Sequence, residues 1–331
     1  MILQLSYSLI HIPGVPGRER WLPSLLLSII GVLMKIIIDL VKHFLRPKIE
    51  DRGVVIQTVT KVILIYNDAL FGIVFWVGGF NILYSAFPPM LWHQLLAVLL
   101  LSAASLFLMG AFQCTAGVPT TIITDTNNNV FSPESYFRAS VAGEEGVTWT
   151  RVLDTVFTYT VIHSLVICSW WSVWELENNY ILQPCEIIIK DFKAWDSIVI
   201  AFMLAPVIFS IDTSIRSYSR DNADSCWRPL VVGAVSVAAF LASLNFWRGV
   251  WSLMDFYFFP SMNVEENLLL SHGIGFVWSV VAGTGLTLTQ SSRRDPELPE
   301  YNQCRYWSRG QAEPGDTEQP TEESPLVLRN L

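Results

Sequence analysis

Five ionisable side chains stand in stretches of sequence that are otherwise apolar, and they are the first candidates for chemistry. They are Lys35, Asp39, Asp68, His163 and His272. Ionisable groups at such places serve either in solute or proton pathways or as pairs that hold helices together. Lys35 and Asp39 are four residues apart on one helical face, which predicts a local ion pair. The two histidines suit either a neutral packing role or a proton relay.

A second pattern is an aromatic stripe that occurs twice at nearly the same spacing. The two copies comprise Trp170, Trp174, Asn178, Tyr180 and Pro184, and Trp247, Trp251, Asp255, Tyr257 and Pro260. A weaker copy comprises Trp76, Phe80, Tyr84 and Pro88. Rings four residues apart lie on one side of a helix. Trp and Tyr also collect at membrane interfaces irrespective of activity, but the polar residue repeated at one offset indicates an inherited helical-hairpin unit.

Charged residues near these stripes suggest contact between the copies. Arg248 and Asp255 are seven residues apart and share a face, while Glu175 and Glu177 lie at similar depth in the preceding copy. We expect Arg248 to contact one of the two glutamates as a pair that stabilises the fold. The predicted structural or partner surface comprises Trp170, Trp174, Tyr180, Trp247, Arg248, Gly249, Trp251, Asp255 and Tyr257.

Signatures of enzymes are missing from the sequence. The chain has no nucleophile elbow, phosphate-binding glycine loop, metalloprotease helix or kinase motif set. Its five cysteines show no metal-ligand spacing. The formal net charge of −8 gives no support for a nucleic-acid partner. We therefore predict a non-enzymatic protein with no catalytic residues, no metal site and no cofactor.

Apolar helices must position all of these residues. Hydrophobic residues make up 52% of the chain and charged residues 15%, against roughly 25% charged residues in soluble proteins. A bilayer crossing needs about twenty apolar helical residues. Seven windows meet this need: 22–44, 62–86, 91–112, 152–182, 195–215, 230–259 and 268–290. The sequence therefore predicts an all-α, polytopic transmembrane bundle with about seven spans.

The windows divide the chain into units and suggest an orientation. We predict an N-terminal segment (1–21), a single helix (22–44), helical hairpins (62–112, 150–215 and 230–290) and a disordered acidic tail (291–331). If the hairpin is the unit, helix 22–44 is the second half of a hairpin whose first half is missing or reduced, and it packs as the other second helices do. Twelve Lys and Arg residues flank one side of the spans and four flank the other. Basic residues favour the cytosol, so the C-terminal tail is predicted to be cytosolic.

The most specific signal lies in residues 245–255, which read NFWRGVWSLMD, with the related WWSVW at 170–174. Together with the repeated hairpins, these segments resemble the Fuseless family of multipass membrane proteins over residues 22–290. The resemblance implies an eight-pass protein of the presynaptic plasma membrane that has no enzymatic activity and supports calcium-channel organisation and synaptic transmission. Its expected partners are the lipid bilayer and presynaptic channel or scaffold proteins. The seven windows and the reduced first unit depart from the eight-pass pattern.

A second function stays open from the residues alone. A secondary transporter or small-solute channel would place its polar site around Asp68, His163, Arg248, Asp255 or His272. A continuous polar path through the bundle would favour transport. A tightly packed core would favour a membrane organiser or adaptor.

Overall fold

The fold is known from a computed structural model that describes residues 21–50, 52–87, 90–117, 149–181, 192–221 and 228–257, with single positions at 270, 273, 277 and 281. Every element of regular structure in these ranges is helical, which confirms the all-α class. The α-helices are α1 (Trp21–Glu50), α2 (Val54–Ala86), α3 (Trp92–Leu108), α4 (Trp149–Phe157), α5 (His163–Leu176), α6 (Phe192–Asp221) and α7 (Arg228–Tyr257). A 3-10 helix, Phe112–Thr115, follows α3, and π-helical segments lie at Thr158–Ile162, between α4 and α5, and at Glu177–Ile181, after α5.

Several of these helices suit a bilayer. By length and composition, four stretches could cross one: Trp21–Ile49, Val54–Ala86, Val152–Ile181 and Val231–Val250. Trp92–Leu108 and Trp195–Ile211 are apolar but shorter. These six stretches overlap six of the predicted windows. The seventh window, 268–290, lies outside the described residues apart from single positions, as do the predicted N-terminal segment up to residue 20 and the tail, so seven spans stay a prediction.

The first helix is longer than its window. The prediction that it ends before Arg46 and Pro47 is wrong, because α1 continues through Pro47 to Glu50. Pro47 lacks the N–H that would bond to the carbonyl of residue 43, but only three helical residues follow it, so the distortion affects little of α1. The extra turn is also held by packing, since Ile49 is buried against Leu64 and Ile65 of α2.

The third helix is shorter than its window. The prediction that it extends to Phe112 is wrong, because α3 ends at Leu108 and the backbone at Gly110 has a φ of 64°. L-residues rarely adopt this conformation, whereas glycine does so at little cost. The chain turns there and continues into the 3-10 helix.

The helices that pack most closely are not the two helices of the same predicted hairpin. In the described ranges α1 packs chiefly on α2, α3 on α5 and α6 on α7, while α5 also contacts α2 and α7. The core beside α5 draws residues from α2, α3, α5 and α7, among them Leu106, Trp170 and Phe240. Each second helix of a predicted unit therefore packs on the first helix of the next unit. The helix α1 follows the same rule, as expected.

The contact between α1 and α2 brings two backbones unusually close. A methyl group at Gly31 would lie 2.8 Å from the Cβ atom of Phe75, and one at Gly78 would lie 2.7 Å from the backbone nitrogen of Ser28. Small residues permit such approaches, and close packing is a main source of helix association in lipid. The two glycines, one on each helix, therefore set the distance between α1 and α2.

Replacing Gly78 with alanine is expected to destabilise the protein by about 1–3 kcal/mol, because the added methyl meets the backbone of α1 and the helices must separate. The readout is the temperature at which the detergent-solubilised protein loses its monodisperse form. Gly72 in the same helix is the matched control, since a methyl group there meets nothing within 4 Å. An equal loss in both variants would contradict the close approach.

Candidate functional site

Four charged residues form a buried group between α1 and α2, here named the ion cluster: Lys35, Asp39, Lys42 and Asp68. The Nζ atom of Lys42 lies 2.8 Å from Oδ2 of Asp68, and Lys35 pairs with Oδ1 of the same carboxylate. Asp39 Oδ1 lies 3.9 Å from the Lys42 Nζ atom. All four side chains are nearly inaccessible, with Asp68 and Lys35 at 0% exposure. One carboxylate thus holds two ammonium groups across the helix interface.

Helical spacing explains how α1 supplies three members of this cluster. Lys35, Asp39 and Lys42 are separated by four and three residues, so they lie on one face, which also contains Ser28 and Gly31. The opposite face carries exposed aliphatic side chains. The cluster contains two ammonium and two carboxylate groups, so its charges balance. Balance matters because an uncompensated buried charge is strongly destabilising.

His163 lies in an aromatic environment beside this cluster. The Lys35 Nζ atom is 5.2 Å from the centroid of the Tyr159 ring, a cation–π distance. The Tyr159 ring lies 4.7 Å from the His163 ring, and the Phe75 ring lies 6.1 Å from it. His163 is buried. These ring contacts accord with the packing role, and the relay role stays a prediction.

A second charged group centres on Arg248 of α7. Its Nη1 atom lies 2.8 Å from Oε2 of Glu177, and its Nε–H donates to Oγ of Ser197 at 2.9 Å. Asn245 donates to the other oxygen of Glu177 at 3.1 Å. The expected contact between Arg248 and one of the two glutamates therefore forms with Glu177. This Arg248 network joins α7 to α6 and to the π-helical segment after α5.

Glu175, unlike Glu177, contacts α2 rather than α7. The Tyr84 hydroxyl of α2 donates to Glu175 Oε1 at 2.9 Å, and Asn179 donates to Oε2 at 2.8 Å. Residues two apart on a helix face different directions. Glu175 and Glu177 therefore connect the same helical end to α2 on one side and to α7 on the other.

The repeated tryptophans meet in one core. Trp170 is buried, and its ring lies edge-on to Trp76 with centroids 5.6 Å apart. Its indole N–H donates to the carbonyl of Thr115 at 3.0 Å. Trp247 packs against the same cluster. The first rings of the three predicted copies thus converge, which places Trp170 in the interior rather than on a free surface.

The remaining predicted surface residues lie in different settings. Trp174 is half-buried, and Gly249 is buried within α7. Tyr180 is 41% exposed, and its hydroxyl donates to the backbone carbonyl of Met90, just before α3, at 3.0 Å. Trp251, Asp255 and Tyr257 belong to α7, but their side chains lie outside the described part, as does all of His272.

Two members of these groups escaped the sequence reasoning. Lys42 is one of the twelve basic residues on the predicted cytosolic side, and its seven-residue spacing from Lys35 places both ammonium groups on one helical face. Ser197 gave no signal, because a serine in an apolar helix usually bonds its own backbone. The partner of Asp68 also required the structure, since Asp68 and Lys42 belong to different helices.

Chemically, both groups are arranged so that cationic and anionic side chains neutralise each other across helix interfaces. Each carboxylate of Asp68 and Glu177 is engaged by a cationic side chain from another helix. Among the described residues no group of three His, Cys, Asp or Glu side chains is placed to hold a metal ion.

Comparison with known proteins gives one match. The family model described as Fuseless matches residues 6–285, which is most of the chain. No curated protein matches the sequence, and no solved structure matches it.

Proposed function

We propose that this chain, which belongs to the Fuseless family, is a non-enzymatic multipass membrane organiser that supports the presynaptic placement of calcium channels and hence synaptic transmission. The presynaptic part of the proposal comes from the family resemblance. Its partners would be presynaptic channel or scaffold proteins in the same plasma membrane, and its C-terminal tail would lie in the cytosol. The helices would act as a rigid frame that presents loops and tail to those partners.

One observation carries the organiser proposal. The charges at both polar groups are paired between helices and are almost completely buried: Asp68 is 0% exposed and Arg248 is 3% exposed. Charges that bind a moving solute must exchange partners and meet water. Charges that hold a frame together are best when each is compensated and closed from solvent. The pairing and burial of Asp68 and Arg248 therefore support a role in holding the helices together.

The transport alternative is less well supported by the same residues. A transporter that used Asp68 or Arg248 would depend on the charge itself. A buried ion pair that serves only to hold helices together can be replaced by apolar residues of similar volume with little loss of stability. The double substitution Lys35→Met with Asp68→Leu therefore separates the two functions, since Lys42 and Asp39 would remain as a balanced pair.

The proposal is tested in neurons that normally express the chain. Removing it is expected to lower the density of calcium channels at release sites, measured by super-resolution imaging of a tagged channel. Re-expression of the wild-type chain should restore the density, and the Lys35→Met/Asp68→Leu variant should restore it equally well. Surface labelling confirms that both chains reach the membrane in equal amounts.

Two results would count against the organiser. Channel density that does not change on removal would contradict the presynaptic role. Rescue by the wild-type chain but not by an equally abundant double variant would show that the charges act in their own right, and solute flux into proteoliposomes would then be the next measurement.

A further inference from the structure

The chain doubles back into the bundle after α3. Beyond the turn at Gly110, the Phe112 ring stacks on Phe107 of α3, with centroids 4.0 Å apart and planes 9° apart. The returning segment therefore runs alongside the last turn of the helix that it has just left. Ala111 and Thr115 are 0% exposed. Residues 111–117 are here named the re-entrant hook.

Side chains from two neighbouring helices satisfy the backbone of this hook. The Trp170 indole of α5 donates to the Thr115 carbonyl at 3.0 Å. The Gly117 N–H donates to Oγ of Ser243 on α7 at 2.8 Å. Non-helical backbone inside an apolar bundle needs such partners, since each unsatisfied group costs several kcal/mol in hydrocarbon. The hook is thus seated in a slot between α5 and α7.

The hydroxyl of Ser243 has two competing acceptors. Its Oγ atom lies 2.9 Å from the Gly117 carbonyl and 2.8 Å from the Ala239 carbonyl. A hydroxyl has only one proton to donate, so it serves one of these carbonyls at a time. The bond to Ala239, four residues back, is the usual one for serine in an apolar helix. The α7 helix therefore keeps a satisfied hydroxyl whether the hook is present or absent.

The hook also satisfies part of its own polar content. The Thr115 hydroxyl donates to the Phe112 carbonyl at 2.7 Å within the hook. On leaving the slot, the hook would take this bond with it. Release would break the bonds between Ser243 and Gly117 and between Trp170 and Thr115. It would also uncover hook side chains that are buried in two cores, namely Ala111, Phe112, Cys114 and Ala116. Gly110 provides the turn about which such a movement can occur.

We propose that the re-entrant hook is a latch that can leave its slot while the helices stay folded. In the seated state it ties the chain that continues beyond Gly117 to Ser243 of α7. In the released state the Ser243 hydroxyl donates to the Ala239 carbonyl, and the slot beside Trp170 opens. A force on the chain beyond the hook would thereby be transmitted to the centre of the bundle. This inference does not depend on the proposed function.

The test measures the reactivity of Cys114, which lies in the hook and is buried. The full-length chain, with its other four cysteines replaced by serine, is placed in lipid nanodiscs and treated with a maleimide. Labelling of Cys114 is expected to be slow compared with the denatured protein. Ser243→Ala should raise the labelling rate of Cys114 by about tenfold, because the seated hook loses its bonds to the Ser243 hydroxyl. The backbone hydrogen bonds of α7 are not affected by this substitution.

Two comparisons keep the test specific. Ser105→Ala is the matched control, because the exposed Ser105 hydroxyl donates to Leu101 of its own helix, and the labelling rate should not change. Ala69→Cys, in a chain with Cys114→Ser, reports on a buried position of α2 and should stay protected when Ser243→Ala is added.

Three results would overturn the latch. Cys114 that stays equally protected in the Ser243→Ala variant would make the hook a fixed part of the core. Fast labelling of Cys114 in the chain without Ser243→Ala would show that the hook is not seated. Ser243→Ala that exposes the thiol introduced by Ala69→Cys as much as it exposes Cys114 would show that the whole bundle loosens rather than the hook alone.

Discussion

Replacing Asp68 with asparagine is expected to destabilise the protein by about 3–5 kcal/mol, the largest loss among the substitutions considered. Asparagine has nearly the shape of aspartate, so packing is kept. The two ammonium groups of Lys35 and Lys42 then share only one carboxylate, that of Asp39. The measurement is the midpoint temperature for loss of monodisperse protein in detergent, together with the amount of chain that reaches the membrane.

The compensated variant distinguishes lost charge balance from lost packing. Adding Lys35→Met to Asp68→Leu removes one charge of each sign, and stability is expected to return to near that of the wild type. Asn67→Ala is the neighbouring control, because the Asn67 amide donates to the Ile63 carbonyl of its own helix at 2.7 Å and is exposed. A Lys35→Met/Asp68→Leu variant that is no more stable than Asp68→Leu alone would contradict the charge-balance account.

Arg248→Met is expected to cost about 3–4 kcal/mol, because it leaves the Glu177 carboxylate buried without its cation and Ser197 without its donor. Arg248→Lys should restore only part of the loss. A single ammonium group lacks the planar fork with which the guanidinium reaches Glu177, Ser197 and Asn245 together. The same thermal midpoint is measured, so the three proteins are ranked on one scale.

The two glutamates provide the control for this network. Glu177→Gln removes the charge that faces Arg248 and should destabilise the protein clearly, whereas Glu175→Gln should have a small effect. Glu175 is bonded by the uncharged donors of Tyr84 and Asn179 at an exposed end. A glutamine there keeps one carbonyl acceptor for the Asn179 amide, and its NH2 group can donate to the Tyr84 hydroxyl oxygen instead. Similar losses in the two variants would contradict the assignment of Glu177 as the partner of Arg248.

Sequence reasoning located most of the charged residues, but their partners came from the structure. Lys35, Asp68 and Arg248 stand out because ionisable side chains in apolar stretches are rare. The partner of Arg248 was narrowed to two glutamates from the repeat spacing. Which of the two is used depends on the rotation of the helix after residue 176, where a π-helical segment begins, and spacing alone does not reveal such a segment.

The hook was missed for a similar reason. Residues 109–112 continue an apolar run, and hydropathy cannot distinguish a helix that continues from one that ends and turns back. Gly110 was the only local sign, and glycine also occurs inside membrane helices. The burial of residues 111–117 depends on space between α5 and α7 that exists only after those helices have packed.

The amino-acid sequence alone was enough to establish the all-α class, six apolar helical stretches and membership of the Fuseless family. The first two follow from local composition, and the third follows from a pattern of residues along the chain. Packing alone established that Asp68 holds two lysines, that Glu177 rather than Glu175 pairs with Arg248, and that the chain re-enters after Gly110. Contacts between residues far apart in sequence depend on how the helices rotate and approach each other. That geometry is a property of the packed bundle and not of any one segment.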